Sequence, residues 1–418
     1  MLALLYSLII VGFPLISNVP LILGTEGTSL SIVYRALVLV LVGCVFLRWF
    51  TRGVRIAAGP PVLAIFVLWW ALLARLSWDA IVQSDSLDVD FAKYSQFLIG
   101  VCIIPALAFL EIPSERVLRV ARVQTEVLGS AAVVLIVYLV LTNFQEIEIL
   151  TRLSTEILNP ISVGYLGVSL FIASVGGLQD KFGHHRILAR AGSNVVRMCV
   201  ALGALTVILA SGSKGPILCA LVVTAIVGYV PVVAVRRHRS RIVARTAITA
   251  ATAGFVAAVL FYLERETSFG VVSRIMGSLS DESTSIRIEL IEGALSQFVA
   301  HPVVGDAIVE RGRMYYPHNI LAESLMATGV IGFVLLSIVV TVCVGAAWKL
   351  IRASHATRWV GLLYVQYLLA SMFSGSLFLD GQFWALSVAV IAISSAARYN
   401  RVARAPWVAT FVSAHERL

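Results

Sequence analysis

A histidine directly before a long apolar segment is the residue best placed for acid–base chemistry. His318 lies in the sequence YYPHN (315–319), and the apolar segment 319–347 follows. A proline suits the first turn of a helix, so these residues predict a helix start. Unpaired N–H groups at a helix start lower the pKa of a nearby histidine and attract phosphate. His318 is therefore a candidate general base beside an anion site; the alternative is a structural histidine at a helix end.

Three neighbours of His318 are candidate supporting residues. Asn319 and Glu323 are four positions apart, so on a helix they share one face. Tyr316 comes two residues before the histidine. We expect these three side chains to hold or surround the candidate base. The glycines Gly329 and Gly332 that follow predict close contact with a neighbouring helix.

Arg287 is the first candidate for holding a phosphate. It follows the sequence STSI (283–286), which opens a predicted amphipathic helix that ends before His301. The planar guanidinium of an arginine can bind a phosphate through two parallel hydrogen bonds, which a lysine cannot do. The alternative is a solvated side chain that pairs loosely with nearby acids, which are Asp281, Glu289 and Glu292. The apolar stripe of this helix predicts that it lies on the membrane surface; the stripe contains Ile288, Ile291, Leu295 and Phe298.

Four further cations lie in or beside apolar segments on one predicted side of the membrane. They are Arg35, Arg75, Lys93 and Lys214. Charges near the bilayer are costly unless they face a cavity, a partner or the interface. One hypothesis is a pocket for an anion. The alternative is snorkelling or pairing with outer acids, which include Asp79, Asp88 and Asp90.

The elements that position these residues are predicted to be membrane-spanning helices. Of the 418 residues, 59% are hydrophobic and 13% are charged, whereas soluble domains carry about 25% charged residues. At roughly 20 apolar residues per span, the chain predicts an all-α, polytopic integral membrane protein with twelve spans in one domain (1–418). The predicted spans are 2–23, 31–50, 58–76, 91–110, 124–142, 160–178, 195–211, 215–235, 244–263, 319–347, 358–376 and 382–397.

The distribution of charge supports this arrangement of spans. With the amino terminus inside, the inner loops hold about two thirds of the 32 basic residues but under a quarter of the 23 acidic ones. We therefore expect both termini in the cytoplasm. The one long loop, 264–318, then lies on the outer side, and long ordered loops are usually functional.

Several classes of function are disfavoured by composition and spacing. The five cysteines are scattered singly, which indicates neither a disulfide framework nor a zinc site, and no acidic cluster for a metal stands out. The net charge of +9 is explained by inner loops that face anionic lipid, so we expect no nucleic-acid partner. Matched broken helices in two halves, typical of inverted-repeat transporters, are not evident.

Taken in order, these motifs resemble the O-antigen ligase and polymerase superfamily of bacterial membrane glycosyltransferases. The elements that carry the resemblance are SGSKG (211–215), SIR (285–287), HPVVGD (301–306), PHNILAE (317–323) and GVIG (329–332). Arg152 with Asn159 and Pro160 looks like a further element. The match covers residues 150–335, whereas the first four spans match only as apolar helices.

The resemblance implies a GT-C-like membrane fold and a donor glycan carried on undecaprenyl pyrophosphate. The glycan is transferred to an acceptor hydroxyl on the periplasmic face of the bacterial inner membrane, without a metal or other cofactor and with inversion. The family's proposed base falls on His318. Its pyrophosphate-binding cations fall on Arg287 and Lys214, and Arg152 is the further candidate.

The resemblance leaves more than one function open. A polymerase joins lipid-linked repeat units of O-antigen or a related polysaccharide, whereas a ligase passes the chain to lipid A-core. The position of Lys214 is usually arginine in ligases, which favours the polymerase. A non-enzymatic alternative is a flippase or transporter of lipid-linked sugar, but such a protein is expected to place ionisable groups near mid-membrane.

Overall fold

The computed structural model describes residues 1–23, 27–142, 153–155, 157–177, 187–234 and 282–403. Within these residues the protein is helical, with two isolated β-bridges and no named strand. The predicted span 244–263 and the candidate Arg152 lie outside the described residues. The helices are α1 (Leu2–Ser7), α2 (Phe13–Ser17), α3 (Val19–Leu23), α4 (Gly27–Arg52), α5 (Pro60–Val82), α6 (Phe91–Ser95), α7 (Ile104–Ala108), α8 (Glu115–Thr142), α9 (Pro160–Gly177), α10 (Ile187–Ala210), α11 (Lys214–Ala234), α12 (Glu282–Ala300), α13 (Ile320–Ala353), α14 (His355–Phe373) and α15 (Gly381–Ala403).

Seven helical segments in the described residues are long and apolar enough to cross a membrane. Two of them are composite. A π-helical turn, Leu8–Gly12, joins α1 to α2, and a second, Gln96–Ile103, joins α6 to α7. Three further apolar helices are shorter, at Asn194–Ala210, Lys214–Tyr229 and Gly381–Ser395. The prediction of a helical membrane protein is confirmed at this level, and the count of twelve spans stays a prediction.

Polar residues and prolines set the helix starts. Asn159 directly precedes Pro160, the first residue of α9, and its side chain accepts a hydrogen bond from the N–H of Ser162. Asp90 caps α6 in the same way through the N–H of Lys93. An oxygen-bearing side chain at the cap satisfies an N–H group that has no partner within the helix.

Most of the buried hydrophobic residues between Leu2 and Ile393 form one continuous core, and a small second cluster lies between α12 and α13. Helix α9 lies at the centre of the continuous core, because it packs against α8, α10, α11 and α14. Most of its residues are buried. The amino-terminal ends of α9 and α11 are adjacent, since Pro216 packs on Gly164. The starts of α9 and α11 thus lie together at one end of the bundle.

Helix α13 is broken near its first third. Gly329 has φ +62°, ψ −159°, outside the helical region. The segment after α12 packs into this break: Asp306 donates its N–H to the Met326 carbonyl, and Val330 donates its N–H to the Pro302 carbonyl, both at 2.8 Å. A Cβ on Gly329 would lie 2.4 Å from the Val303 carbonyl carbon. The predicted helix–helix contact at this glycine is therefore wrong, because a loop backbone occupies the space.

Helix α12 corresponds to the helix predicted in the long loop. It buries Leu290 and Ala294, and Ala294 packs beside α13, whereas Ile288 and Leu295 of the predicted apolar stripe are exposed. The side chain of Gln297 donates to Asp306 and to the Val309 carbonyl. These contacts attach α12 to the bundle, and its placement on a membrane surface stays a prediction.

Candidate active site at one end of the helical bundle

A cavity of about 420 Å³ opens at the end of the bundle where α9, α13 and α15 begin and α14 ends. Its lining includes the polar residues Arg287, His318 and Asp380. It also includes apolar residues of the first helical segment and of α9, which form the apolar wall of the cavity: Ile10, Phe13, Pro14, Ile161 and Leu166. The cavity can therefore hold a molecule with a charged or hydroxylated part and an apolar part.

His318 is held in an unusual backbone conformation at the edge of this cavity. Its φ is +56°, a left-handed value that is uncommon for residues other than glycine and is often found at functional sites. Helix α13 begins at Ile320 and is capped by Asn319. The helix thus begins one residue after the start predicted for this span at 319, and Pro317 lies outside it, because the left-handed His318 cannot continue a right-handed helix.

The imidazole of His318 is kept neutral by its surroundings. Partial burial lowers its pKa below the ordinary 6.5, and the positive charge of Arg287 lowers it further. A hydrogen bond with the Ser374 backbone opposes the shift. Its Nδ1 has no hydrogen-bond partner among the described residues. A neutral imidazole donates through one nitrogen and accepts through the other, so the ring can accept a proton at neutral pH.

Arg287 extends from the first turns of α12 into the same cavity. It acts electrostatically on His318 and on Tyr165, which lines the wall formed by α9. None of the ion pairs between described residues includes Arg287, and Glu289 instead pairs with Arg313 at 2.6 Å. Asp281 lies outside the described residues. The structure thus brings the predicted base and the first predicted phosphate ligand into one space.

Lys214 lies beside this cavity. It is half-buried at the start of α11, and a Cβ on the following Gly215 would lie 2.7 Å from the Tyr165 hydroxyl. Its side chain is absent from the described lining of the cavity. The structure therefore places Lys214 at the same end of the bundle as Arg287 and His318, next to a glycine that approaches Tyr165.

The other three cations that were predicted to face outward have different surroundings. Arg75 forms an ion pair with Asp79 and donates to the Asp306 carbonyl, which attaches α5 to the segment after α12. Arg35 lies over the ring of Phe97, 4.5 Å from its centroid. Lys93 is exposed. Arg75 therefore pairs with an acid, as the alternative predicted, and it does not belong to the pocket for an anion.

Asn319 and Glu323 hold the connection between α14 and α15 against α13. The Asn319 amide donates to the Met372 carbonyl at 3.1 Å, and its oxygen caps α13. The buried Glu323 carboxylate accepts from the Ser376 hydroxyl and the Leu377 N–H, both at 2.6 Å. Because that connection lines the cavity, both residues act as supports and neither is a member of the cavity wall.

Tyr316 lines the cavity and covers one edge of the base. Its ring meets the His318 ring edge-on, with centroids 4.5 Å apart and an interplanar angle of 65°. Tyr315 stacks on Tyr316 at 4.5 Å and 26°. Both tyrosine rings therefore contact the imidazole, and the supporting role predicted for Tyr316 stays a prediction.

Asp380 is a cavity residue that sequence reasoning missed. Its carboxylate accepts hydrogen bonds from the Ser371 hydroxyl and from the Phe383 N–H, so it also caps α15. Burial raises its pKa to about 6, and the group is mostly ionised at neutral pH. The available signal was a single acid in the short connection before the last span. Asp380 reaches the cavity that contains His318 only through the packing of α13 against α14 and α15.

Among the described residues, no three His, Cys, Asp or Glu side chains are grouped as a metal site requires. No protein-family model, curated protein or solved structure matches the chain.

Proposed function

We propose that the protein is a membrane glycosyltransferase that uses a glycan on undecaprenyl pyrophosphate as donor and an acceptor hydroxyl as nucleophile. The observation that carries this proposal is the shared cavity of Arg287 and His318. The motif resemblance supports it, since these two residues occupy the family's cation and base positions. We further propose that the site faces the periplasm at the bacterial inner membrane and that the product is O-antigen or a related polysaccharide.

The proposed reaction follows from the charges of the site. His318 removes the proton of the acceptor hydroxyl, and the oxygen attacks the anomeric carbon from the face opposite the pyrophosphate. The bond between the anomeric carbon and the phosphate oxygen breaks, and its electron pair leaves with the lipid pyrophosphate. Arg287 neutralises the charge that grows on this leaving group. The anomeric configuration is inverted.

The apolar wall supports a lipid-linked donor. Phe13 and Pro14 of α2 line the cavity together with Ile161 and Leu166 of α9. A hydrocarbon chain buried against these side chains contributes about 0.8 kcal/mol per CH₂ group. A soluble nucleotide-sugar donor has no part that would use this wall.

The proposed base is tested by replacing His318 in purified protein supplied with lipid-linked donor and acceptor. We expect His318→Ala to lower the transfer rate roughly 100-fold or more, the contribution typical of a positioned general base. His301→Ala is the matched control, since His301 lies in the same segment but its side chain is 58% exposed. Thermal unfolding of both variants shows whether the fold is kept. Near-parental transfer by a folded His318→Ala protein would exclude the base assignment.

Polymerase and ligase are separated by their products. Donor is supplied with and without lipid A-core, and the glycan ladder is followed on gels. A ladder that stays on undecaprenyl pyrophosphate supports the polymerase, which we favour because lysine stands at position 214. A ladder that moves to lipid A-core supports the ligase. Movement of intact donor across vesicles without a new glycosidic bond would instead support a flippase.

A further inference from the structure

Tyr315 presents an aromatic surface at the mouth of the cavity. Its ring lines the cavity and is 46% exposed. The rings of Tyr315 and Tyr316 are stacked, so Tyr316 covers one face of Tyr315. An exposed, half-supported tyrosine ring is a common way to bury apolar area while the hydroxyl stays in water.

The backbone around Tyr315 holds this ring in place. The Glu310 N–H donates to the Tyr315 carbonyl at 2.9 Å. The Glu310 carboxylate accepts from the N–H groups of Gly312 and Arg313, both at 2.8 Å. A surface that is ordered before its ligand arrives loses less conformational entropy on binding.

Tyr315 lies beside His318 in the cavity that also holds Arg287. The centroids of Tyr315 and His318 are 5.4 Å apart, a distance comparable with the width of one pyranose ring. A sugar stacked on the exposed face of Tyr315 therefore lies in the same cavity as the imidazole that takes the proton of the acceptor hydroxyl.

We propose that Tyr315 is the acceptor subsite and binds a pyranose through the C–H groups of one sugar face; this inference rests on the proposed function. The C–H face of a pyranose is apolar and flat, and it matches an aromatic ring, while its hydroxyls remain free for polar partners. The acceptor is then a carbohydrate, and a protein hydroxyl or water is excluded as the preferred nucleophile.

The test compares three variants in the purified full-length protein. Tyr315→Phe keeps the ring, Tyr315→Leu removes it, and Tyr138→Leu is the matched control, since Tyr138 is 54% exposed on α8. The stacking contribution of about 0.5–1.5 kcal/mol corresponds to roughly twofold to tenfold. We expect Tyr315→Leu to raise the acceptor KM by this factor with donor KM unchanged. Tyr315→Phe and Tyr138→Leu should keep the parental acceptor KM.

A binding measurement separates this inference from the proposed reaction. The probe is the lipid-free repeat oligosaccharide of the source organism's surface polysaccharide, followed by saturation-transfer NMR on each variant. Weaker binding in Tyr315→Leu alone supports the subsite, even if the protein transfers no glycan and the proposed function fails. Equal binding and equal acceptor KM in all variants overturn the subsite, even if transfer proceeds and the proposed function stands.

Discussion

His318 combines three physical constraints in one side chain. Its left-handed backbone costs of order 1–3 kcal/mol in a residue that is not glycine. Partial burial and the charge of Arg287 disfavour its protonated form. The rings of Tyr315 and Tyr316 lie within 5.4 Å and 4.5 Å of its own. The imidazole is therefore neutral and oriented before a substrate binds.

The pH dependence of transfer should report this neutral imidazole. Because the His318 pKa is lowered from 6.5, kcat/KM should stay high through neutral pH and fall only in more acidic buffer, as the ring becomes protonated. Replacement of Arg287 by glutamine removes a positive charge, so the pKa of His318 rises and the acid limb moves to higher pH. The measurement is kcat/KM against pH for the parent and the Arg287→Gln variant.

Arg287→Lys is the control, since it keeps the charge but loses the planar pair of donors. Its acid limb should coincide with the parental one, and its donor KM should lie between those of the parent and Arg287→Gln. Identical pH profiles and identical donor KM values in all three proteins would indicate a solvated Arg287 with no role at the site.

Some of these residues can be predicted from the sequence for identifiable reasons. His318 and Arg287 stand beside helix starts, where local spacing already suggests anion chemistry. Arg75 has an acid four positions later, Asp79, and this spacing indicates the ion pair that is observed. Asp380 carries no local pattern, because only tertiary packing brings it to the cavity. A single acid in a short connection looks the same whether it faces a cavity or solvent.

At the scale of the elements, the break in α13 joins the two parts of the site. The segment 301–306 fills the break by backbone hydrogen bonds, and it continues directly from α12, which carries Arg287. Gly305, with φ +76°, lies against the Ala327 backbone from the other side. Neither glycine has room for a Cβ, so the contact depends on both.

Gly329→Ala should therefore destabilise the protein. The alanine would face backbone strain of about 1–3 kcal/mol and a contact of 2.4 Å with Val303. We expect a lower Tm and reduced transfer. Gly345→Ala is the matched control in the same helix, since a Cβ there meets nothing within 4 Å. Differential scanning fluorimetry in detergent measures both variants, and equal Tm values would contradict the packing described.

The elements themselves were predictable where apolar length and caps coincide. The run 58–76 corresponds to α5 and the run 160–178 to α9, each preceded or begun by proline. The break in α13 was not predictable, because a glycine within an apolar run is also typical of close helix packing. The loop that fills the break contacts α13 through backbone groups, and such contacts leave no signal in side-chain types.

At the scale of the whole molecule, the cavity lies at one end of the bundle, and ion pairs of arginines with glutamates lie at the other end. Arg48 pairs with Glu111, and the Trp49 indole donates to the same carboxylate at 3.1 Å. Arg122 pairs with Glu126 at 2.9 Å within α8. These residues belong to the predicted inner loops and inner helix ends, so the charge pattern and the packing divide the chain consistently.

Cysteine labelling tests the proposed orientation. In a background without native cysteines, Ser285→Cys on α12 should react with a membrane-impermeant maleimide from outside intact spheroplasts. Arg116→Cys near the start of α8 should react only after the membrane is opened. Both positions are exposed in the fold, so a difference reports sidedness. Labelling of Arg116→Cys alone in intact spheroplasts would reverse the proposed orientation.

Helical membrane architecture can be predicted from the sequence, because 59% of the residues are hydrophobic and long unbroken apolar runs satisfy their backbone in lipid as helices. The cavity cannot be predicted from the sequence, because its walls come from residues as far apart in the chain as Ile10 and Gln382. Each wall residue is ordinary in its local context, and only the packing of α2, α9 and α14 makes a cavity between them.

The backbone bonds between 302–306 and α13 also determine how the chain tolerates changes of length. The number of residues between Ala300 and Asn319 determines the distance between Arg287 and His318. An insertion or deletion there would therefore displace one of these residues relative to the other. Substitutions of exposed side chains in the same stretch leave that distance unchanged. Homologous chains with this chemistry should thus differ in residue identity in this segment but keep its length.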